Sequence, residues 1–160
     1  MRLTLAAVGR LKGGPERDLV ARYVERIATT GKGVGLSELT LRETDESRAR
    51  RAQDRKSEEA GALRALTPAN ARTIALDERG GSMTSHRFAS QIAAWRDSGV
   101  RDLCFLIGGA DGLDPGVRDE AALALSFGAL TLPHQLVRVL LAEQVYRAIS
   151  ILSGHPYHRQ

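Results

Sequence analysis

Cysteine is almost absent from this chain: Cys104 stands alone, inside the apolar run LCFLIGG. One thiol excludes a disulfide framework within the chain and any metal cluster built from cysteine. Its setting reads as a small buried hydrophobe on a strand, which suits a reducing cytoplasm. Long uncharged hydrophobic runs are missing too. The most apolar stretch, after Pro133, is interrupted by Arg138, Glu143 and Arg147, whereas a membrane span needs around 20 mostly uncharged residues. The opening MRLTLAAVGR is too short in apolar residues for a secretory signal and no small-residue cleavage site follows. A soluble, cytoplasmic protein without a membrane partner is expected. No linker, internal repeat or low-complexity tract interrupts the chain, so residues 1–160 are expected to form one domain.

What is present is ordinary in bulk and uneven in detail. The 160 residues are 42% hydrophobic and 26% charged, enough to bury about two-thirds of the unfolded surface. A net charge of +4 suits a polyanionic partner without proving one. Arg2–Val8 reads as a first strand. Pro15 then opens a helix carrying Leu19, Val20, Tyr23, Val24 and Ile27 at helical spacing, broken by Gly31–Gly35. Leu36–Leu41 alternates as a half-buried strand. Asp45–Leu66 reads as a charged helix, with Arg48, Arg50, Arg51, Arg55 and Lys56 on a solvated face that could also touch a phosphate backbone. Arg72–Leu76 is a third strand with a turn at 77–81, and residues 84–98 a helix. Asp102–Ile107 is continuously apolar, as in strands covered on both faces. Asp114-Pro115 caps a short helix. Leu123–Leu132 and Pro133–Gly154 form the last strand and helix. The alternation predicts an α/β fold with a parallel sheet and helices on both faces.

Ligands of such sheets bind at the carboxyl ends of the strands. Three ends stand out: Leu76-Asp77, Gly108-Gly109, and Ala129 to Leu132. The glycines invite a phosphate-loop reading, but no G-x-G-x-x-G follows a strand and no Gly-Lys-Ser/Thr is present. A structural turn explains GGADG equally well. The last helix is apolar almost all round, with His134, Arg138, Ala142 and Tyr146 on one stripe and Glu143 and Arg147 opposite. One sheet covers one side of it, so a homodimer is expected to cover the other, the alternative being a five-stranded domain that wraps the helix by itself. Three of the four histidines, His134, His155 and His158, fall between Pro133 and the terminus.

LIGG followed by GL (Leu106 to Leu113), ALTLPH with LVRVLLAEQVYRA (Ala129 to Ala148) and the terminal HPYHR (His155 to Arg159) resemble the RlmH family of SPOUT-class RNA methyltransferases. The likeness spans essentially the whole chain. It implies a trefoil knot near the C-terminus, a homodimer, and S-adenosylmethionine as cofactor. It also implies methylation of N3 of a pseudouridine in a stem-loop of 23S ribosomal RNA, in the large subunit or assembled ribosome. In that family the cofactor lies against segments that map onto Leu76, Gly108 with Gly109, and Phe127, Gly128, Ala129, Leu130, Thr131 and Leu132. Asp111 and Gln160 stand where the family varies or often carries Glu, and Gly154 replaces a commonly polar residue, which leaves Gln160 without a role.

The chemistry expected from the resemblance needs the N3 proton to leave. His134, His155 and His158 are candidate bases, although phosphate or backbone hydrogen bonding fits them equally. Arg138 and Arg159 are candidates to stabilise an anion or clamp a phosphate, and Tyr157 to stack on the target base. No metal is called for. Two rival functions fit the same composition: a non-catalytic ribosome-binding module, and a methyltransferase acting on tRNA.

Overall fold

The computed structural model describes residues 1–158; Arg159 and Gln160 lie outside the described residues. Five strands, β1 (Arg2–Val8), β2 (Leu39–Thr44), β3 (Arg72–Gly81), β4 (Asp102–Ile107) and β5 (Leu123–Leu125), form one sheet. Its order is β2-β1-β4-β3-β5, and every pairing is parallel. The helices are α1 (Pro15–Thr30), α2 (Ala52–Leu66), α3 (Ser85–Asp97), α4 (Pro115–Glu120) and α5 (His134–Ser153).

A parallel sheet must be covered on both faces, and alternation along β4 shows how. Leu103, Phe105 and Ile107 pack with Ile27 of α1, Phe88 and Ile92 of α3, and Leu141, Val145 and Ile149 of α5. Cys104 and Leu106 face the other way, against Ala60 and Leu63 of α2 and Val117 of α4. The expected α/β architecture with helices on both faces is the one observed. Local chemistry sets several boundaries. Pro15 and Pro115 open α1 and α4, and the Asp114 carboxylate accepts the Gly116 N–H at 2.8 Å. The Thr84 hydroxyl accepts the Arg87 N–H at 3.2 Å to cap α3. Gly154, at φ 69°, closes α5 in the left-handed conformation.

Four expected elements differ. The strand expected at Leu36–Leu41 forms at Leu39–Thr44. Leu36 is buried, but its N–H bonds to Gly31 O and closes a 3-10 turn at Gly31–Val34. Period-two alternation does not separate an apolar plug in a turn from a strand residue. The turn expected at 77–81 is instead a continuation of β3. Leu76 and Gly81 both pair with Leu125, a bulge that the expected turn residues accommodate. Gly80 makes it feasible, because a Cβ there would lie 2.7 Å from the Ala124 and Leu125 backbone. The last strand stops at Leu125 rather than Leu132, where the Ser126 hydroxyl exchanges hydrogen bonds with Gly128 N and O (3.1 and 2.8 Å) and turns the chain.

The helix expected from Asp45 begins only at Ala52. Residues 45–51 form a loop fastened at Ser47, whose hydroxyl accepts the Ala49 N–H at 3.1 Å. A serine that satisfies its own backbone in this way competes with helix formation. Arg48, Arg50 and Arg51 therefore do not share a helical face.

Burial pushes the Cys104 thiol up to about 11, and its side chain is fully enclosed. Because the thiolate is the reactive form, Cys104 is expected to resist a thiol-specific chromogenic reagent at pH 8 in the folded protein. It should react fully once the chain is unfolded in urea. Rapid reaction of the native protein would show that the sheet opens far more readily than its packing implies.

Candidate active site

Parallel strands deliver their carboxyl ends to one side of the sheet, where Ile107, the last residue of β4, pairs with Ala7 of β1 and with Leu76 of β3. β5 pairs with β3 at the sheet edge, yet α5 begins against the end of β1. There, Arg138 Nη2 donates to Val8 O (2.6 Å) and Gly9 O (2.8 Å). Residues 126–133 therefore cross the ends of β3 and β4 to connect them. That crossing walls a cleft of about 810 Å³, with the loop after β4 and the continuation of β3 as its other sides.

Leu76, Gly108, Gly109, Phe127, Gly128, Leu130, Thr131 and Leu132 all line this cleft, as does His134. Ala129 is exposed and outside the lining. The glycine loop folds back on itself: Gly112 N–H donates to Gly109 O at 3.0 Å. A Cβ on Gly108 would fall 2.6 Å from Gly112 C and 2.7 Å from Leu113 N, so only glycine permits this turn. Gly109 rests on α2, where a Cβ would meet Glu59 Oε2 at 2.9 Å. The loop is also held by Arg55, which donates to both Asp111 oxygens (2.6 and 3.1 Å) and holds that carboxyl below its usual range.

The sequence-predicted residues outside the cofactor wall separate into two places. His134, first residue of α5, sits at the cleft with Nε2 3.9 Å from Glu46 Oε1. Arg138, one turn later, is fully buried and outside the lining. Besides the two carbonyls it donates to Glu43 Oε1 at 2.8 Å, an oxygen that also accepts the Leu11 N–H at 3.0 Å. Burial lowers the Arg138 pKa, while Glu43 and then Glu46 oppose that effect. Its guanidinium is engaged with protein groups.

Tyr157 and His158 lie toward the other end of α5. Tyr157 Oη donates to Glu143 Oε1 at 3.1 Å, its ring meets that of Tyr146 edge-on at 4.8 Å, and Arg147 lies 5.0 Å from its ring centre. Burial, then hydrogen bonding to Tyr23, then Glu143 push the Tyr157 hydroxyl well above its usual range. His158 sits between Arg147 Nη1 (3.4 Å) and His86 Nε2 (3.0 Å). His155 is exposed and accepts the Tyr157 N–H at 3.2 Å. Glu143 and Arg147, which hold Tyr157 and His158, follow His134 by nine and thirteen residues, about 14 and 20 Å along a helix axis. One chain thus holds its HPYH segment well away from its own cleft. Arg159 and Gln160 lie outside the described residues.

Several lining or bracing residues were not singled out as a site from sequence: Glu78, Arg79 and Arg118 in the lining, and Glu59 beneath it. Glu59 had a usable signal, an acid next to Ala60 and near Leu63 on the sparse apolar face of α2. It is 6% exposed, and its Oε2 is buried without a partner. Among the described residues, no three His, Cys, Asp or Glu side chains are grouped as metal ligands, and no helix is long and apolar enough to cross a membrane.

A family model described as "Predicted SPOUT methyltransferase" matches residues 1–158. A protein named "Ribosomal RNA large subunit methyltransferase H" from Xanthobacter autotrophicus is 59% identical over 159 residues, covering 99% of each chain. One of the same name from Methylorubrum extorquens is 59% identical over 160 residues, covering 99% of this chain and 97% of the other. A third, from Rhodopseudomonas palustris, is 54% identical over 159 residues with 99% of each covered.

Removing the buried clamp is expected to cost about 3 kcal/mol, the scale of stripping one partner from a buried ion pair. Arg138→Ala should therefore unfold at markedly lower urea than the native chain, followed by circular dichroism. An unchanged midpoint would mean the guanidinium does not hold β1 and β2 to α5.

Proposed function

This chain belongs to the SPOUT methyltransferase family, and we propose that it transfers a methyl group from S-adenosylmethionine to N3 of a pseudouridine in 23S ribosomal RNA. The observation that carries this is the cleft itself. Its walls are the segments that the family resemblance assigns to the cofactor, in a chain 59% identical to a protein named as a ribosomal RNA methyltransferase.

The residues present fit a methionine nucleoside. Leu76, Ile107, Leu125 and Leu132 line the cleft with apolar surface for a base and a thioether chain. The glycine loop brings the backbone of Gly108, Gly109 and Gly112 to the cleft beside Ala110 and Asp111. Asp77 and Glu78 contribute carboxylates suited to hydroxyl and ammonium groups. When bound, the cofactor supplies an already activated methyl group. Loss of the N3 proton is left to the chain, and the reading assigns it to His134, which lines the cleft. Arg138 anchors the first turns of α5 and so positions His134. The crossing at 126–133 with α5 is the segment in which the family's trefoil knot would be tied, all within a single domain of residues 1–160.

A second copy of the chain completes this site. Leu136 and Leu140 are 41% and 38% exposed on α5, and Leu130 is 80% exposed. Beside Leu140 lies a groove of about 330 Å³ lined by Met83, Phe88 and Phe127. Burying that apolar surface in a homodimer is favourable, and it would bring the Tyr157 and His158 of one chain toward the cleft of the other. A cytoplasmic enzyme acting on ribosomal RNA accords with these features.

Transfer of labelled methyl from S-adenosylmethionine to intact ribosomes, separated subunits and tRNA tests the assignment. Label is expected in the large-subunit RNA. Label in tRNA alone, or no heat of cofactor binding in calorimetry, would overturn it. Tyr157→Ala and Arg159→Ala should each abolish transfer and leave cofactor affinity intact; a parallel fall in affinity would instead put the tail in the cofactor pocket.

The dimer has its own check. Sedimentation equilibrium should give twice the chain mass of 17.3 kDa, and Leu140→Asp should yield a monomer that binds cofactor without transferring methyl. A native monomer at micromolar concentration would remove the composite site.

A further inference from the structure

One strongly basic surface has no part in the chemistry above. Between β2 and α2, residues 45–51 form a strap that is tied down at several points. Ser47 N–H donates to Glu59 Oε1 at 3.0 Å, and its hydroxyl bonds to Glu58. Arg55 Nη1 donates to the carbonyls of Ala49 and Arg50, both at 3.0 Å. The same guanidinium grips Asp111 through Nε and Nη2, so one side chain joins the strap to the glycine loop of the cleft. Glu59 makes a second link, because it holds Ser47 while Gly109 rests on its other oxygen.

The strap begins with two exposed acids, Asp45 paired with Arg10 and Glu46 beside His134, and is cationic from Arg48 onward. Arg48, Arg50 and Arg51 are exposed, and among the described residues none of them is within ion-pair distance of a carboxylate. Lys56 continues the charge into the cleft lining. From 48 to 56 the only acid is Asp54. Apart from a longer-range attraction between Arg48 and Asp45, these arginines have no carboxylate partner among the described residues and are open to an outside anion. Their forked donors match phosphate oxygens, and the bracing lowers the ordering cost when a polyanion binds.

We propose that the strap carrying Arg48, Arg50 and Arg51 contacts the phosphate backbone of the substrate RNA beside the target base. Arg55 is a positioning residue that sets the strap's distance from the cleft. This rests on the RNA-methylating function proposed above and adds a docking surface to it.

The test replaces all three arginines, Arg48→Gln, Arg50→Gln and Arg51→Gln, in the full chain. Binding to large ribosomal subunits is measured at several salt concentrations, beside steady-state methyl transfer and calorimetric cofactor binding. Affinity for the subunit should fall about tenfold, and the slope of log K against log salt should become shallower by about 2. KM for the subunit should rise in step, with kcat at saturating substrate and cofactor affinity unmoved. The corresponding triple lysine variant should keep most of the binding.

Arg55→Gln should raise KM but leave the salt slope as in the parent chain, because its guanidinium meets protein rather than phosphate. A slope reduced by Arg55→Gln would overturn the positioning role. Parent affinity and slope in the triple glutamine variant would overturn the strap as an RNA contact, as would a matching loss of cofactor affinity. If the parent chain binds subunits but transfers no methyl, the catalytic assignment fails while the binding comparison still decides the strap.

Discussion

A guanidinium with no exposed surface joins three parts of this fold. Arg138 reaches from the second turn of α5 to the last carbonyls of β1 and to Glu43 on β2. Carbonyls at the end of a parallel sheet need donors once they are covered, and here one long side chain supplies them. That contact fixes where α5 starts. The helix start in turn obliges residues 126–133 to span the ends of β3 and β4, and the span is what encloses the cleft. A candidate cation for catalysis thus stands as the anchor on which the cleft wall and His134 depend.

The opposite wall is held by a different kind of contact. Arg55 and Glu59 project from α2 and meet the glycine loop from outside the cleft, one through Asp111 and one directly under Gly109. Gly108, Gly109 and Gly112 bring backbone to the cleft wall beside Ala110, Asp111 and Leu113, while the bracing comes from α2. Arg55 is only partly buried, so this brace stays within reach of whatever binds the surface above it. One connected set of residues therefore braces both the strap at 45–51 and the glycine loop of the cleft.

Much of the scaffold was legible in the chain. β1 and β4 were read to the residue, because strands covered on both faces are nearly continuous apolar runs. The boundaries of α3 and α5 were also close, since Thr84, Pro133 and Gly154 mark them with local chemistry. The segments misread all involve a competing local bond or bulge. Ser47 and Ser126 divert backbone that periodicity would have continued, and the bulge between Leu76 and Gly81 carries a strand through residues that favour turns. The position of the cleft followed from the general rule for strand ends, while Glu59 passed as one more charge on a charged helix.

The order of residues by itself determined which segments are apolar on both faces, where prolines and glycines start and stop helices, and that LTLPH and HPYHR are present. It also set the charge of the strap. Only the tertiary structure decided that Arg138 is enclosed, that Arg48, Arg50 and Arg51 ride on a loop tied to the cleft, and that Tyr157 lies far along α5 from His134. The division has a physical cause. Periodicity and capping act within a few residues of one another, whereas β5 at the sheet edge and α5 against β1 are placed by packing between segments distant in sequence. The distance from Tyr157 to its own cleft is a consequence of that placement, and no local pattern carries it.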